Sequence, residues 1–136
     1  MHRIVQDLIT KNAKVIFDRE INALLVTLSG FIPLERMKEI FHHEFDIIQC
    51  FKLKKCIIDL RGIGVYAQGV PELIQNFWFP QIVKEGVEHV AFVVPDSVFG
   101  QISMNKSHKE GQQKENHQYF NDFDSAVSWL KQAQAA

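Results

Sequence analysis

The amino-acid sequence predicts an α/β protein. Its single mixed β-sheet begins with an N-terminal antiparallel hairpin, continues with parallel strands, and is covered by about four helices. Two β-rich segments near the N-terminus are joined by a linker too short for a parallel crossover. Farther along, two short apolar strands at 56–60 and 90–94 flank a helical stretch, which is the pattern of a parallel βαβ unit. Strands of that kind are covered on both faces, so we expect four residues among the buried sheet positions: Ile57, Leu60, Ala91 and Val93.

The N-terminal half provides the first elements of this fold. Residues 1–12 have apolar residues at helical spacing and are predicted to form a short helix or a loose arm over a sheet edge. The hairpin strands are Lys14–Asp18 and Ala23–Ser29. A helix then begins at Pro33, because proline is tolerated in a first helical turn, and extends to about Phe51.

The middle of the chain contains the predicted βαβ unit. A strand at 55–60 is followed by a loop and by a second helix from about Pro71 to Glu85. Pro80 should break or kink that helix, because proline has no N–H to donate. Gly86 suits the end of the helix, where a left-handed residue is common. The next strand is predicted at 88–94.

The C-terminal third supplies one more strand between two helices. Ser97 is a candidate N-cap for a helix that carries Val98, Phe99 and Ile102. The polar segment 106–116 is predicted to be an exposed, frayed helix end and loop. A short strand at 118–120 then precedes a last helix that begins at Asp122 or Asp124 and ends near 133.

Composition limits the classes of protein and partner. The 136 residues suit one domain, 1–136, with a formal net charge of −1, so neither nucleic acid nor an anionic membrane is expected as a partner. We see no signal peptide and no apolar run long enough for a membrane span, which favours a cytoplasmic location. Cys50 and Cys56 are expected to be buried free thiols. A redox pair is the less favoured alternative, because their spacing is not C-x-x-C.

Several segments together resemble one protein family. These are the IIDLRGIG turn, the NFWFP helix break, the VAFVVPDSVFGQISM strand and helix, and the closing YFNDFDSAVSWL strand and helix. With the hairpin, they resemble the SpoIIAA-like, or STAS-like, domain family from about Ala13 onward. The resemblance implies a mixed sheet with packed helices, kinship with sporulation anti-anti-sigma factors, and a fold relationship to CRAL-TRIO lipid-transfer domains. It implies a binding or regulatory module more than a chemistry.

The loop after the central strand departs from the regulatory members of that family. Phosphorylation-controlled STAS domains present a serine or threonine there, at the start of the next helix. In this chain the loop is 61–69 and contains neither residue, and Tyr66 supplies its only side-chain hydroxyl. We therefore expect that the usual phosphorylation switch does not operate here.

The same loop is the first candidate binding site, because ligands of open α/β sheets lie beyond the carboxyl ends of parallel strands. Arg61 could hold a carboxylate or phosphate, assisted by backbone N–H groups around Gly62 and Gly64. The plainer interpretation is that Asp59 and Arg61 pair with each other and brace the loop. The glycines do not form G-x-G-x-x-G, which argues against a nucleotide.

The aromatic run Phe77-Trp78-Phe79 is the second candidate. Three consecutive helical residues cover about 200° of the circumference, so one packed face cannot easily hide them all. Either two rings fill the core and the third meets the N-terminal arm, or the run forms an apolar pocket or a dimer contact. We predict that this run and the loop at 59–69, including Tyr66, form one surface for an amphipathic ligand or partner.

No metal or cofactor is expected. The adjacent His42 and His43 point about 100° apart on a helix and cannot share one ion. Pairing His42 with Asp46, or Glu39 with His43, would give two ligands and an incomplete site.

Three functions remain, in order of preference. The first is a non-catalytic binding or regulatory module with a protein partner or self-association as a homodimer. The second is a carrier for a small apolar or lipid-like ligand. The third is an enzyme using Asp59, Arg61, Tyr66 or His89, which is disfavoured because no nucleophile, base and orienting group occur together.

Overall fold

The computed structural model describes residues 5–112 and 114–133, and within them six strands form one mixed sheet in chain order. The strands are β1 Leu8–Ile9, β2 Ala13–Asp18, β3 Ala23–Gly30, β4 Lys55–Ile63, β5 His89–Val93 and β6 His117–Phe120. The first three are antiparallel neighbours, and β3 to β6 are parallel. An antiparallel hairpin continued by parallel strands is the predicted fold class, which is confirmed.

Within the described residues the helices form four units, as predicted. A π-helical turn, Ile74–Trp78, joins α2 to α3, and α5 directly follows α4. The helices are α1 Leu34–Phe51, α2 Val70–Leu73, α3 Phe79–Lys84, α4 Val98–Ser107, α5 Lys109–Gln112 and α6 Phe123–Gln132.

The N-terminal segment is not helical in its described part. Leu8 and Ile9 pair with Val15 and Lys14 of β2, which adds a short strand to the sheet edge. A helix of so few residues would be marginal in water, whereas the edge of β2 offers ready hydrogen-bonding groups. The prediction of a short helix is therefore wrong for 5–12, and 1–4 lie outside the described residues.

The helical segment from Val70 to Lys84 is continuous, so the break, which is one of the two effects predicted for Pro80, does not occur. The backbone N–H of Phe79 donates to the carbonyl of Ile74, five residues back, which is the hydrogen bond of a π-helix. The widened turn ends just before Pro80 and accommodates its missing N–H without ending the helix. Gly86, with φ of 79°, follows the end of α3 as predicted.

The sheet separates two cores. The larger one lies under α1, the α2–α3 helix and α4, and includes Cys56, Ile58 and Leu60 of β4. The smaller lies under α6 and includes Ile57 of the same strand. The predicted buried sheet residues are all confirmed: Ile57, Leu60, Ala91 and Val93.

The polar segment after α4 is more buried than the sequence predicts. Ser107 and His108 are 0% and 3% exposed. Gly111 is also buried, and a Cβ there would lie 2.5 Å from the Phe79 ring and 2.7 Å from the Tyr119 hydroxyl. Because glycine permits this close approach, the segment folds back onto the core as α5.

The two cysteines differ in exposure. Cys56 is buried at the start of β4, as expected, but Cys50 is exposed near the end of α1. The expectation of burial for Cys50 is wrong, because the apolar face of α1 is formed by its neighbours Ile47 and Ile48. Both thiols are free.

Candidate functional site

Asp59 and Arg61 pair with each other at the carboxyl end of β4. Two nitrogens of the Arg61 guanidinium, Nη2 and Nε, donate to the carboxylate of Asp59 at 2.7 and 3.0 Å, and the Arg61 backbone N–H donates to it at 3.1 Å. The hydrogen bond and charge of Asp59 raise the pKa of Arg61. The guanidinium fork is thus engaged by its own strand, which leaves less of it for a ligand.

The two loop glycines have different surroundings. A Cβ at Gly62 would lie 2.6 Å from the Cβ of Ser29, where the register between β3 and β4 shifts. Gly62 therefore permits the close approach of two strands. Gly64 is exposed, and a Cβ there would meet open space.

The aromatic run divides between core and helix contact. Trp78 and Phe79 are 4% and 2% exposed, whereas Phe77 is half-buried against Phe45 and His42 of α1. These rings lie on the α1 side of the sheet. The ring contacts described for Phe77 are thus with α1, whereas one of the predicted alternatives placed the third ring against the N-terminal arm.

The predicted loop residues lie on two sides of the sheet. The Arg61 guanidinium is 5.6 Å from the ring centroid of Phe123, on the α6 side. Tyr66 lies on the opposite side, with the aromatic run. The structure therefore brings Tyr66 and Trp78 together and does not bring Arg61 to them.

Tyr66 and Trp78 line an internal cavity of about 20 Å³. The cavity lies between α1, the π-helical turn and the sheet, and its walls are mostly apolar. Glu44 of α1 and His108, between α4 and α5, supply its other polar side chains. A space of this size holds about one water molecule.

Glu44 is a buried acid in this cavity wall, with 1% of its surface exposed. The indole Nε1 of Trp78 donates a hydrogen bond to its Oε1 at 2.9 Å. Burial raises the pKa of Glu44 to about 8, and the hydrogen bond from Trp78 only partly opposes this. Glu44 is thus mostly protonated at neutral pH.

His108 connects two tyrosines beside the same cavity. Its Nε2 lies 3.4 Å from the Tyr66 hydroxyl, and its Nδ1 lies 3.1 Å from the Tyr119 hydroxyl. Burial, followed by the nearby His117, lowers the pKa of His108 to about 3. Burial also raises the pKa of both tyrosines. The three groups are therefore uncharged at neutral pH.

A second feature lies on the outside of α4, whose inward face is made of Gly100, Met104 and Ser107. A Cβ on Gly100 would collide with the carbonyl oxygen of Ile63, so the helix lies close against the end of β4. The outward side carries the exposed polar residues Gln101, Asn105 and Lys106, and near its start an exposed apolar cluster. We call this cluster, together with the adjacent Val65, the α4 surface: Val65, Val98, Phe99 and Ile102, which are 50%, 68%, 74% and 47% exposed.

The histidines singled out in the sequence are dispersed. The Nε2 of His43 lies 2.5 Å from the backbone carbonyl of Gln6, and His89 packs edge-on against Trp129. Within 5–112 and 114–133, no three His, Cys, Asp or Glu residues are placed to hold a metal ion. The same part of the chain has no helix whose length and hydropathy would let it cross a membrane.

A scan against protein-family models finds no matching family, and a search of curated proteins finds no match. The STAS-like resemblance therefore stays a prediction from the sequence.

Sequence reasoning missed the roles of Glu44, His108 and the α4 surface. For Glu44 a signal was present, since it follows Ile40 by four positions and Phe41 by three and so lies on the apolar face of α1. His108 stands in a polar, glycine-containing segment that gives no such signal. The orientation of α4 depends on Gly100, which no periodicity reveals.

Proposed function

We propose that this protein is a non-catalytic binding module of the STAS-like type, and that it binds its partner through the α4 surface. One observation carries the proposal: two of the three residues that α4 buries, Gly100 and Ser107, are small, whereas Val98, Phe99 and Ile102 face solvent. Helices of globular proteins ordinarily do the reverse. A cluster of exposed apolar residues is typical of an interaction site.

The partner is a second copy of this chain. Residues 98–105 of α4 carry no charge, so two α4 surfaces can meet without like-charge repulsion. Phe99 is the most exposed member of the cluster and provides an aromatic anchor of the kind that dominates interface energies. The proposal places the protein in the cytoplasm, as the sequence suggests.

The internal polar groups support a role without catalysis. A general base works best when its pKa is near the working pH, whereas the pKa of His108 is about 3. The Tyr66 hydroxyl is directed to His108, and Arg61 is engaged by Asp59. The loop at 61–69, without serine or threonine, also supports a module that does not use the usual phosphorylation switch.

Sedimentation velocity over a range of concentrations tests the proposal. We expect wild-type protein to form a dimer that Phe99→Glu weakens at least tenfold, because two charges would be buried at the contact. The matched control is Ile9→Glu. Ile9 is 70% exposed on β1, at the far edge of the sheet. Its substitution should leave the dimer unchanged.

Two outcomes would overturn the proposal. One is a wild-type protein that stays monomeric at every concentration. The other is a dimer that Phe99→Glu and Ile9→Glu affect equally. Circular dichroism of both variants would establish that they are folded before their association is compared.

The internal cavity favours a second candidate, a carrier for a small apolar ligand. Its walls are mostly apolar, and a π-helical turn forms one side, a feature that occurs frequently at functional sites. At about 20 Å³ it is far smaller than an ordinary ligand pocket of roughly 300 Å³ or more. A lipid-like ligand would have to displace α1 or the π-helical turn. Native mass spectrometry of freshly purified protein tests this candidate, which a retained hydrophobic ligand would support and a ligand-free protein would contradict.

A further inference from the structure

We propose that the cavity beside Glu44 is a binding site for one water molecule, held by the carboxyl group of Glu44 and the Tyr66 hydroxyl. The site is separate from the α4 surface, so its test is independent of the proposed dimer. It assigns a role to Glu44, a buried acid that the partner surface does not use.

The size and composition of the cavity carry the inference. Its volume of about 20 Å³ exceeds the roughly 10–15 Å³ that a water molecule requires. Glu44, Tyr66 and His108 bring three polar side chains to its wall from α1, from the loop after β4 and from the segment after α4. Buried waters typically make about three hydrogen bonds. Both ring nitrogens of His108 face tyrosine hydroxyls, so the partners of the water are the carboxyl group of Glu44 and the Tyr66 hydroxyl. Two partners lie within the range of about two to four hydrogen bonds that buried waters make.

The charges around Glu44 explain why its carboxyl group keeps a proton. His108 and Tyr66 face the same cavity and are uncharged at neutral pH. Cys56 of β4 lies within electrostatic reach, and burial, with the charge of Glu44, raises the pKa of its thiol. The donor identified for Glu44 is the neutral indole of Trp78. A carboxylate here would have no cation among the described side chains of the cavity wall, whereas a protonated acid can donate its own hydrogen bond to water.

This state of Glu44 limits what else the cavity could accept. A molecule that displaced the water would have to present an uncharged hydrogen-bonding group, such as an alcohol or an amide. An anion would meet an acid that loses its proton only at alkaline pH, and apolar walls that do not solvate charge. If the protein carries a ligand, the buried end of that ligand is neutral.

Infrared spectroscopy and crystallography together test the site. At pH 6.5 we expect the carbonyl stretching band of a protonated carboxylic acid, lost on alkaline titration with a midpoint near pH 8. The band should be absent from Glu44→Gln and unchanged in Glu39→Gln, whose exposed carboxylate pairs with Arg36 on the same helix. A high-resolution crystal structure at pH 6.5 should show one ordered water in contact with Glu44.

Several outcomes would overturn the proposal. One is the absence of the protonated-acid band at pH 6.5, and another is its persistence in Glu44→Gln. A dry cavity in the crystal structure would be equally decisive. If Glu44→Gln does not fold, the pKa of each glutamate can be measured by titrating wild-type protein with ¹³C-labelled glutamate side chains. The inference would be contradicted if all glutamates titrated with ordinary pKa values.

Discussion

The two faces of the sheet are built differently. Under α6 the hydrophobic cluster is made mostly of small or aliphatic residues: Ile21, Ala23, Leu25, Ile57, Ala91, Val93, Ala126 and Leu130. The buried Asp59, which pairs with Arg61, lies on the same face of β4 as Ile57. Under α1 and its neighbouring helices, the core is larger and rich in aromatic rings, and polar side chains lie among them: Glu44, Tyr66, Trp78, His108, His117 and Tyr119.

The difference separates a structural face from one that can respond to its surroundings. Apolar contacts on the α6 side depend little on pH, because the eight clustered side chains carry no titratable group. On the α1 side, burial shifts the pKa of Glu44 and His108 in opposite directions. Each shift is a stability cost under conditions where the group would otherwise be charged. The following predictions test whether the two faces differ in this way, beginning with the largest expected effect.

The stability of the protein should be greatest near pH 6.5. Folding raises the pKa of Glu44 from 4.5 to about 8, so the unfolded chain loses this proton first and stability falls as pH rises through that interval. Folding lowers the pKa of His108 and His117 from 6.5 to about 3 and 4, so stability also falls as pH drops below 6.5. Between pH 4.5 and 6.5 the two histidines change the stability with pH more than the single acid does, so the stability still increases with pH in that interval.

Urea unfolding of Glu44→Gln and wild-type protein at pH 6.5 and pH 9 measures the contribution of Glu44. The full pKa shift corresponds to about 5 kcal/mol of unfolding free energy, at about 1.4 kcal/mol per unit. Wild-type protein should lose part of this free energy between pH 6.5 and pH 9, and Glu44→Gln should lose much less. Glu39→Gln on the exposed side of α1 should keep the wild-type profile. Parallel alkaline declines in wild-type protein and Glu44→Gln would contradict the assignment.

The two tryptophans provide a matched pair on opposite faces. Trp78→Ala should cost about 3–5 kcal/mol of unfolding free energy, because it empties a buried site and removes the hydrogen bond to Glu44. Trp129 on α6 is half-buried, so Trp129→Ala should cost about half as much. Thermal melts measure both.

Trp78→Ala also tests the prediction that Trp78 forms a contact surface. If it does, the variant should stay folded while association, measured by sedimentation, weakens. A strongly destabilised variant whose folded fraction associates normally would remove that role.

Two glycines test how closely α5 packs on the α1 face. Gly111→Ala should destabilise the protein by about 1–3 kcal/mol, because the new methyl group meets Phe79 and Tyr119. Gly64→Ala is the control, since open space surrounds that position, and its effect should lie within about 0.5 kcal/mol. Equal effects in chemical denaturation would show that 111 is not packed as described.

The smallest expected effect is that of kinase treatment, which should leave the loop at 61–69 unphosphorylated. The loop has no serine or threonine, and the Tyr66 hydroxyl lies beside His108 at the cavity wall. Incubation with host kinases followed by peptide mass spectrometry should find no stoichiometric phosphate there. Phosphate on Tyr66 would contradict both this prediction and the inward position of its ring.

The sequence predicted the fold well where local patterns and connections leave few alternatives. The hairpin follows from its short linker, α1 from its apolar spacing, and the Ser97 and Asp122 caps from side chains that accept backbone N–H groups. It failed for β1, because two residues carry too little pattern to distinguish a strand from a helix turn. It placed the second helix at about 71–85, close to the observed 70–84, but it did not predict the π-helical turn before Pro80, because no local pattern encodes that backbone geometry.

The candidate site was predictable only in part. The sequence identified Asp59, Arg61, Tyr66 and Trp78 as residues of interest, and one proposed alternative, the Asp59–Arg61 pair, is present. It could not assign Arg61 and Trp78 to opposite faces, because the side of the sheet on which a loop residue lies depends on how the strand ends.

By itself, the sequence determined the order of the main elements from β2 onward, the buried strands and the absence of a serine or threonine in the loop at 61–69, because these depend on residues close together in the chain. Tertiary structure alone decided that Glu44, Tyr66 and His108 share one cavity and that α4 presents Val98, Phe99 and Ile102 to solvent. Those arrangements arise from contacts between residues distant in sequence, and from the close approach of backbone at Gly100 and Gly111. No local pattern encodes such contacts, since the free energy that fixes them comes from packing across the whole core.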